Sequence, residues 1–359
     1  MAEPLVLSAG HQLRDQAGAL ADAVVACEFS RNPRLRLRYG PGGRGKSRQD
    51  AAYHLAFLAD AVDVDSQAVF NDYIAWAKVL LLHFGVLTED LDQHLGCMAD
   101  VVSEQMPAPV AASAVAMIEA ARSALAAMPA TAPPCLDPDQ RLEPLAREYA
   151  RALLGGYRQA AGQLVFDAAD RGTSVRELYL QVFQPALREV GRLWQTRRIS
   201  VAQEHFCSAA TQVVMSQLLP RSLPAPRRGR AVVVACIGGD LHDVGARMVA
   251  DFFTMAGWDA YFCGANTPHE GVVRSAAERA AQVLAVSASM GCHLHSVQEL
   301  LQEVREDPRG AALRVMVGGH PFTLDPALWR TVGADGTAAD AEAAVALAEQ
   351  WLTGAPTPH

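Results

Sequence analysis

From residue 230 onward the chain alternates, with short apolar runs rich in β-branched residues each followed by a stretch of helical spacing. RAVVVACIG, WDAYFCG, QVLAVSAS, LRVMVGG and the short ADGTA read as strands. DVGARMVADFFTMAG, HEGVVRSAAERA, SVQELLQEVRED and ADAEAAVALAEQWL read as helices between or after them. A strand that returns through a helix lies parallel to the strand before it, by a right-handed crossover, and apolar strands of this kind are covered on both faces. Residues 230–359 therefore predict a Rossmann-like, flavodoxin-like parallel sheet between two layers of helix. In such sheets a ligand binds beyond the carboxyl ends of the strands. The loop GGDLHDVG, residues 238–245, falls at that end of the first strand.

The rest of the chain lacks strand patterns. MPATAPPCLDPDQ (128–140) and PRSLPAPRRGR (220–230) are rich in proline, which interrupts helices, and read as linkers. They predict a helical domain over 1–130, a linker at 131–139, a helical bundle over 140–222, a linker at 223–229 and the sheet domain over 230–359. In the first segment QDAAYHLAFLADAVDV, SQAVFNDYIAWAKVLLLHFG and EDLDQHLGCMADVV are amphipathic helices. Half of the 359 residues are hydrophobic, so this is a globular protein with room for several cores. A net charge of −8 argues against wholesale binding of nucleic acid, which needs clustered Lys and Arg. Seven scattered cysteines without a CxxC pair suit reduced thiols, and no apolar run reaches the length of a membrane span. With no basic stretch ahead of the first apolar residues, the expected location is cytoplasmic. GPGGRGKS (40–47) satisfies the pattern of a phosphate-cradling loop. No parallel sheet is predicted around it, so it is expected to be a glycine-rich loop.

The chemistry of residues 238–245 is specific. A neutral imidazole is a good ligand for a transition metal, and Asp240, two residues before His242, can hold its second nitrogen. One histidine binds a bare ion poorly, so the metal should arrive already chelated by a macrocycle. Asp240-Leu241-His242-Asp243-Val244-Gly245 resembles the cobalamin-binding signature Asp-x-His-x-x-Gly. That family continues with Ser-x-Leu and then Gly-Gly; here Ser287-Ala-Ser289 follows after 41 residues (246–286) and Gly318-Gly319 after 28 more (290–317). The resemblance implies that His242 ligates cobalt from below, in place of the cofactor's own base. It also implies that Leu241, Gly245, Ser287, Ser289, Gly318, Gly319 and Gly336 line the cofactor and its nucleotide tail. Ser289 stands where the family has Leu.

The helical bundle carries Trp194, then Val201 seven positions on and Glu204-His205 at ten and eleven. This spacing resembles the adenosyl cap of the CarH photoreceptor family. It implies that Trp194 and Val201 cover an adenosyl group and that Glu204 and His205 meet its polar atoms. Gln195 replaces the histidine that follows the family's Trp, so a second histidine ligand cannot form there. Residues 50–102 show neither wing strands nor a basic recognition helix. They resemble instead the globin-like domain of photocobilins, in which biliverdin accompanies the cobalamin. Arg36 and Arg38 are then candidates for its propionates, and Tyr53, His54, Tyr73, Trp76 and His83 for its pocket. Together these resemblances imply a light-sensing signalling protein, not an enzyme, which binds adenosylcobalamin and biliverdin and changes its oligomeric state or its docking to a partner protein. The other reading of the same residues is a corrinoid methyl carrier serving a separate methyltransferase.

Overall fold

The computed structural model describes residues 8–222, 226, 229–310 and 312–353. They divide into two compact units: residues 1–130 with 288–299 and 320–333, and residues 131–287 with 300–319 and 334–359. The linker expected over 223–229 lies mostly outside the described residues.

The first unit is helical throughout its N-terminal part: α1 (Ala9–Arg31), α2 (Leu35–Tyr39), α3 (Gly43–Asp63), α4 (Gln67–His83), α5 (Thr88–Gln105) and α6 (Ala108–Ala124). Ser8 starts α1 by accepting the His11 N–H at 3.1 Å, and Asp90 starts α5 by accepting the Leu87 N–H at 3.1 Å. Such caps satisfy amides that have no partner inside the helix. The LRLRY run is α2, not a strand, and GPGGRGKS passes straight into α3 at Gly43. A phosphate loop needs a strand before it and a sheet beside it. Among the described residues of 1–130 there is neither.

The second unit joins a helical bundle to a sheet. The bundle is α7 (Glu143–Leu154), α8 (Arg158–Asp170), α9 (Val175–Leu178), α10 (Gln184–Gln195) and α11 (Val201–Leu218). Between α9 and α10 the chain makes a wide π turn over Tyr179–Phe183. Pro185, in the first turn of α10, has no N–H to return to the preceding turn, and a local widening absorbs that missing bond. Tyr179 in this turn donates its hydroxyl hydrogen to Asp251 at 2.9 Å, and Arg176 lies over the Phe252 ring.

The sheet has five parallel strands, β1 (Ala231–Cys236), β2 (Asp259–Phe262), β3 (Val283–Ser287), β4 (Arg314–Gly318) and β5 (Gly336–Thr337), in the order β2-β1-β3-β4-β5. The intervening helices are α12 (Val244–Met255), α13 (His269–Glu278), α14 (Leu294–Glu306), α15 (His320–Leu324), α16 (Leu328–Thr331) and α17 (Ala341–Thr353). Strand order reverses between β1 and β3, so a crevice opens there beyond the strand ends. The register fixes its rim: Cys236 pairs with Ser287, and Ser287 with Gly318. Bundle and sheet share a single hydrophobic core, in which Tyr149, Phe183 and Val214 are continuous with Val232, Phe252 and Met316. The apolar faces on the two sides of the expected linker close on one another.

Candidate functional site

β1 ends at Cys236, and the loop that follows is held from both sides. The Ile237 N–H donates to the Ser287 carbonyl at 3.0 Å, and the Cys236 N–H to that of Gly264 at 3.2 Å. Gly239 takes a φ of +85°, which an L side chain would strain. Its N–H donates to Asn266 Oδ1 at 2.7 Å, while the Asn266 N–H donates to the Asp240 carbonyl at 2.9 Å. Asn266 was not anticipated from sequence. An Asn beside Thr-Pro, just after β2, is the only trace it leaves along the chain.

This frame buries Asp240 completely and leaves 63% of the His242 side chain exposed. Asp240 Oδ1 accepts both the His242 N–H at 2.9 Å and the ring Nδ1–H at 2.8 Å. With a carboxylate as partner, Nδ1 must carry the hydrogen, so Nε2 is the nitrogen with a lone pair. The hydrogen bond to Asp240 raises the imidazole above its ordinary pKa against the opposing effect of burial. The charges of Asp240, Glu204 and Asp243 push the same way. Glu204 belongs to α11, so the first turn of that helix faces the loop of His242. Gln212 of the same helix donates to Asp243 at 2.6 Å.

The other signature residues are placed as follows. Leu241 is 73% exposed beside His242. Gly245, in the first turn of α12, borders open space: a Cβ there would meet nothing within 4 Å. Ser287 and Gly318 are paired on the rim of the crevice, and Gly319 holds a φ of +113°. Gly336 is buried under α17, where a Cβ would come within 2.9 Å of the Trp351 ring, so packing alone accounts for its lack of a side chain. Ser289 falls in the other compact unit.

Trp194 and Gln195 end α10, the first half-buried and the second buried. Val201, Glu204 and His205 occupy the first turn or so of α11. Ser200 starts that helix through a capping box with Gln203. Val201 is half exposed, and Glu204 lies 3.5 Å from His205 Nε2 while accepting the Ser208 hydroxyl at 2.9 Å. The loop and the helix thus present an imidazole on one side and a carboxylate–imidazole pair on the other, within one compact unit.

Of the residues expected around a bilin, three form one aromatic cluster, with the Tyr73 ring 5.5 Å from that of His54 and 6.5 Å from that of Trp76 between centroids. His54 Nδ1 and the Tyr73 hydroxyl are 2.7 Å apart and both side chains are buried, closed on each other. Arg38 is ion-paired with Asp90, which also accepts the Tyr39 hydroxyl. Arg36 lines a shallow groove with Phe29, Leu37, Gly40, Pro41 and Arg44. Tyr53 and Trp76 are exposed, and His83 Nδ1 donates to the Val79 carbonyl within its own helix at 2.8 Å. Cys97 is fully buried, and burial pushes its thiol up to about 12.

Comparison with known proteins bears on residues 145–346. A B12 binding domain model matches residues 230–346, and a second B12 binding domain model matches 145–219. A corrinoid protein of Desulfitobacterium hafniense (strain Y51) is 25% identical over 210 residues, 57% of this chain and 96% of its own length. Dimethylamine corrinoid protein 1 of Methanosarcina mazei is 26% identical over 217 residues, 59% of this chain and 98% of its own. The structure of the Methanosarcina barkeri monomethylamine corrinoid protein shares the fold at 22% identity and a TM-score of 0.51, covering 58% of this chain and 99% of that one. No helix among the described residues is long and apolar enough to cross a membrane. With an exposed imidazole fixed by a buried carboxylate, and with both domain models matched, the chain is a cobalamin-binding protein.

Proposed function

We propose that this protein is a corrinoid carrier, in which His242 would hold the cobalt and the bound corrinoid would supply an exchangeable carbon group to a separate protein, a methyltransferase in the simplest case. The observation that carries the reading is the 2.8 Å bond between Asp240 and His242 Nδ1, which leaves Nε2 as the donor at the head of β1. When bound, the corrinoid supplies a cobalt centre whose upper carbon ligand can be transferred or released. This chain's residues do the rest. Asp240 fixes the tautomer and orientation of His242 and makes Nε2 more basic. Gly245, Ser287, Gly318 and Gly319 keep the strand ends low enough for a nucleotide tail to lie against backbone. Trp194 of α10 and Val201, Glu204 and His205 of α11 would lie against the bound corrinoid. The named relatives are corrinoid proteins, which favours carriage over catalysis by the chain itself.

A second reading rests on the cap. Trp194, Val201, Glu204 and His205 keep the spacing of an adenosyl pocket, and Glu204 with His205 offers an acceptor and a donor suited to a ribose and adenine. Under that reading the protein would bind adenosylcobalamin, which would supply a light-sensitive cobalt–carbon bond beside α11. Retention of biliverdin by residues 1–130 would add the second chromophore.

One experiment separates them. The full chain is loaded in the dark with methylcobalamin or adenosylcobalamin, desalted, and followed by absorption before and after green light. Retention of methylcobalamin, with loss of its methyl group to a corrinoid methyltransferase and its thiol acceptor, supports the carrier. Preferential retention of adenosylcobalamin with a light-driven spectral change sinks the carrier and establishes the sensor. If His242→Ala retains either cofactor with an unchanged spectrum, the ligand assignment falls under both readings.

A further inference from the structure

Two segments that leave the sheet at the rim of the crevice are anchored elsewhere. Residues 288–299 follow directly on Ser287, and residues 320–333 follow directly on Gly319. Both belong to the compact unit of the N-terminal helices. Their anchors are side chains of α3 and α4 and the turn between them, more than 230 residues away along the chain. Asp60, fully buried on α3, accepts the His295 N–H at 2.7 Å and the His295 ring Nδ1–H at 2.9 Å. Arg14 of α1 balances the same carboxylate at 3.3 Å. Asp72 on α4 takes His320 Nε2 at 2.9 Å, and the Ser66 hydroxyl donates to Asp325 at 2.9 Å. Gly291 lies flush on α3 and α4: a Cβ there would come within 2.6 Å of Val69 Cγ1 and 3.5 Å of the Phe57 ring.

We infer that Asp60 and Asp72 are positioning residues, through which the N-terminal helices clamp the two segments that continue the chain from the tail-lining positions Ser287, Gly318 and Gly319. The inference rests on the corrinoid reading for what the clamp controls, though not for the clamp itself. Neither domain model reaches residues 1–144, so the cobalamin-binding domains do not account for these aspartates. A hydrogen-bonded carboxylate in a dry site holds its partners in one geometry, because any displacement leaves a charge buried without a partner. Ser289 lies six residues from His295, and Gly319 is adjacent to His320. A shift of α3 or α4 therefore reaches the rim through a few residues of backbone. By reciprocity, a ligand that orders the rim tightens the clamp.

The test uses the full chain and two readouts. Hydrogen exchange of the cofactor-free protein is compared for wild type, Asp60→Asn, Gly291→Ala and the surface pair Asp72→Asn and His320→Ala. Hydroxocobalamin affinity is then measured by absorbance for each. The expected result is faster exchange in peptides covering 288–299 for the first two variants and 320–333 for the pair, with β1 unchanged. It is accompanied by affinity weakened about tenfold, a typical size for coupling between sites. Exchange unchanged in every variant overturns the clamp, as does a loosened segment with undiminished affinity. Should Asp60→Asn not fold, the surface pair decides, since His320 and Asp72 are both partly exposed. A wild type that binds no corrinoid overturns the corrinoid reading instead, and exchange alone still decides whether the aspartates hold the segments.

Discussion

Two histidines, one in each compact unit, show how the same side chain is put to opposite use. His242 stands at the end of β1, largely exposed, with one nitrogen held by a buried carboxylate that raises its pKa. His54 is sealed inside the helices of the first unit, where burial, with the nearby His94, holds its pKa well below the usual histidine value. Its Nδ1 is closed on the Tyr73 hydroxyl, and Tyr73 in turn stacks on Phe57 at 3.6 Å between centroids. His94 meets His54 edge to face at 5.1 Å and lies 3.4 Å from Glu28. A ligating histidine is recognisable by what it leaves available, and a structural one by what it has used up. Removing His242 should therefore harm binding with little effect on stability, while perturbing His54 should do the reverse.

The largest effect should come from His242→Ala. The cobalt loses its protein ligand, and the spectrum of bound cobalamin should no longer show histidine coordination, while the melting temperature of the cofactor-free protein stays close to wild type. Asp240→Asn keeps the ring but weakens its orientation, and should cost about 10–100-fold in affinity, the usual range for the group behind a metal ligand. Equal losses of binding and stability in His242→Ala would erase the contrast between the two sites.

Next in size is Phe183→Ala in the π turn. Phe183 is fully buried in the core common to bundle and sheet, and truncation of such a ring costs about 3–5 kcal/mol. Because the core is continuous, probes in the bundle and in the sheet should report one shared transition moved to lower denaturant. Two separated transitions would show that the bundle and the sheet are independent domains after all, as the proline-rich stretch between them first suggests.

How much could be read in advance follows from the same contrast. Strands β1, β3 and β4 were legible because each carries an apolar run, as a strand covered on both faces must. Asp240, His242 and Gly245 were legible because their chemistry is completed within six residues of chain. Asn266 was not, since its bonds to Gly239 and Asp240 exist only once β1 and β2 are paired. Helices α1 and α6 were passed over: the buried face of α1 mixes Leu, Val and Phe with Gly10 and Glu28, and half of the buried residues of α6 are Ala, so neither stretch marks a clean period. The sharing of residues 288–299 and 320–333 with the N-terminal helices had no local signal at all. His295 and Asp60 carry no mark of each other until the chain has folded.

His54 gives the pH prediction, and its sign is opposite to that of a paired histidine. The folded state keeps His54 neutral, whereas the unfolded chain takes up a proton near the ordinary value of 6.5. Stability contributed by the neutral ring is complete above that value and is lost as pH falls below it, at up to about 1.4 kcal/mol per pH unit. Denaturant unfolding followed by hydrogen exchange in α3 and α4 should show this slope between pH 6.5 and 5. His54→Phe should flatten the slope, even if it lowers stability at neutral pH by removing the partner of Tyr73. A slope unchanged by the substitution would assign the acid sensitivity to other groups, with buried Asp50, raised by burial, pulling the opposite way.

The smallest effect is the one that separates the cap from the ligand. Ser200 accepts the Gln203 N–H at 3.3 Å, and Gln203 Oε1 returns the bond to the Ser200 N–H at 3.0 Å. Ser200→Ala should destabilise the start of α11 by about 1 kcal/mol. That turn carries Val201, Glu204 and His205, whereas His242 and Asp240 are fixed from β1 and Asn266. Loss of the cap should therefore leave histidine coordination of bound cobalamin intact and change only the preference between adenosyl and methyl forms, measured as a ratio of dissociation constants in the dark. A ratio that does not move means that the first turn of α11 does not touch the upper ligand, and the cap spacing then says nothing about which corrinoid the protein takes. A ratio that shifts against adenosylcobalamin locates its recognition at Glu204 and His205 and brings the light-responsive reading forward.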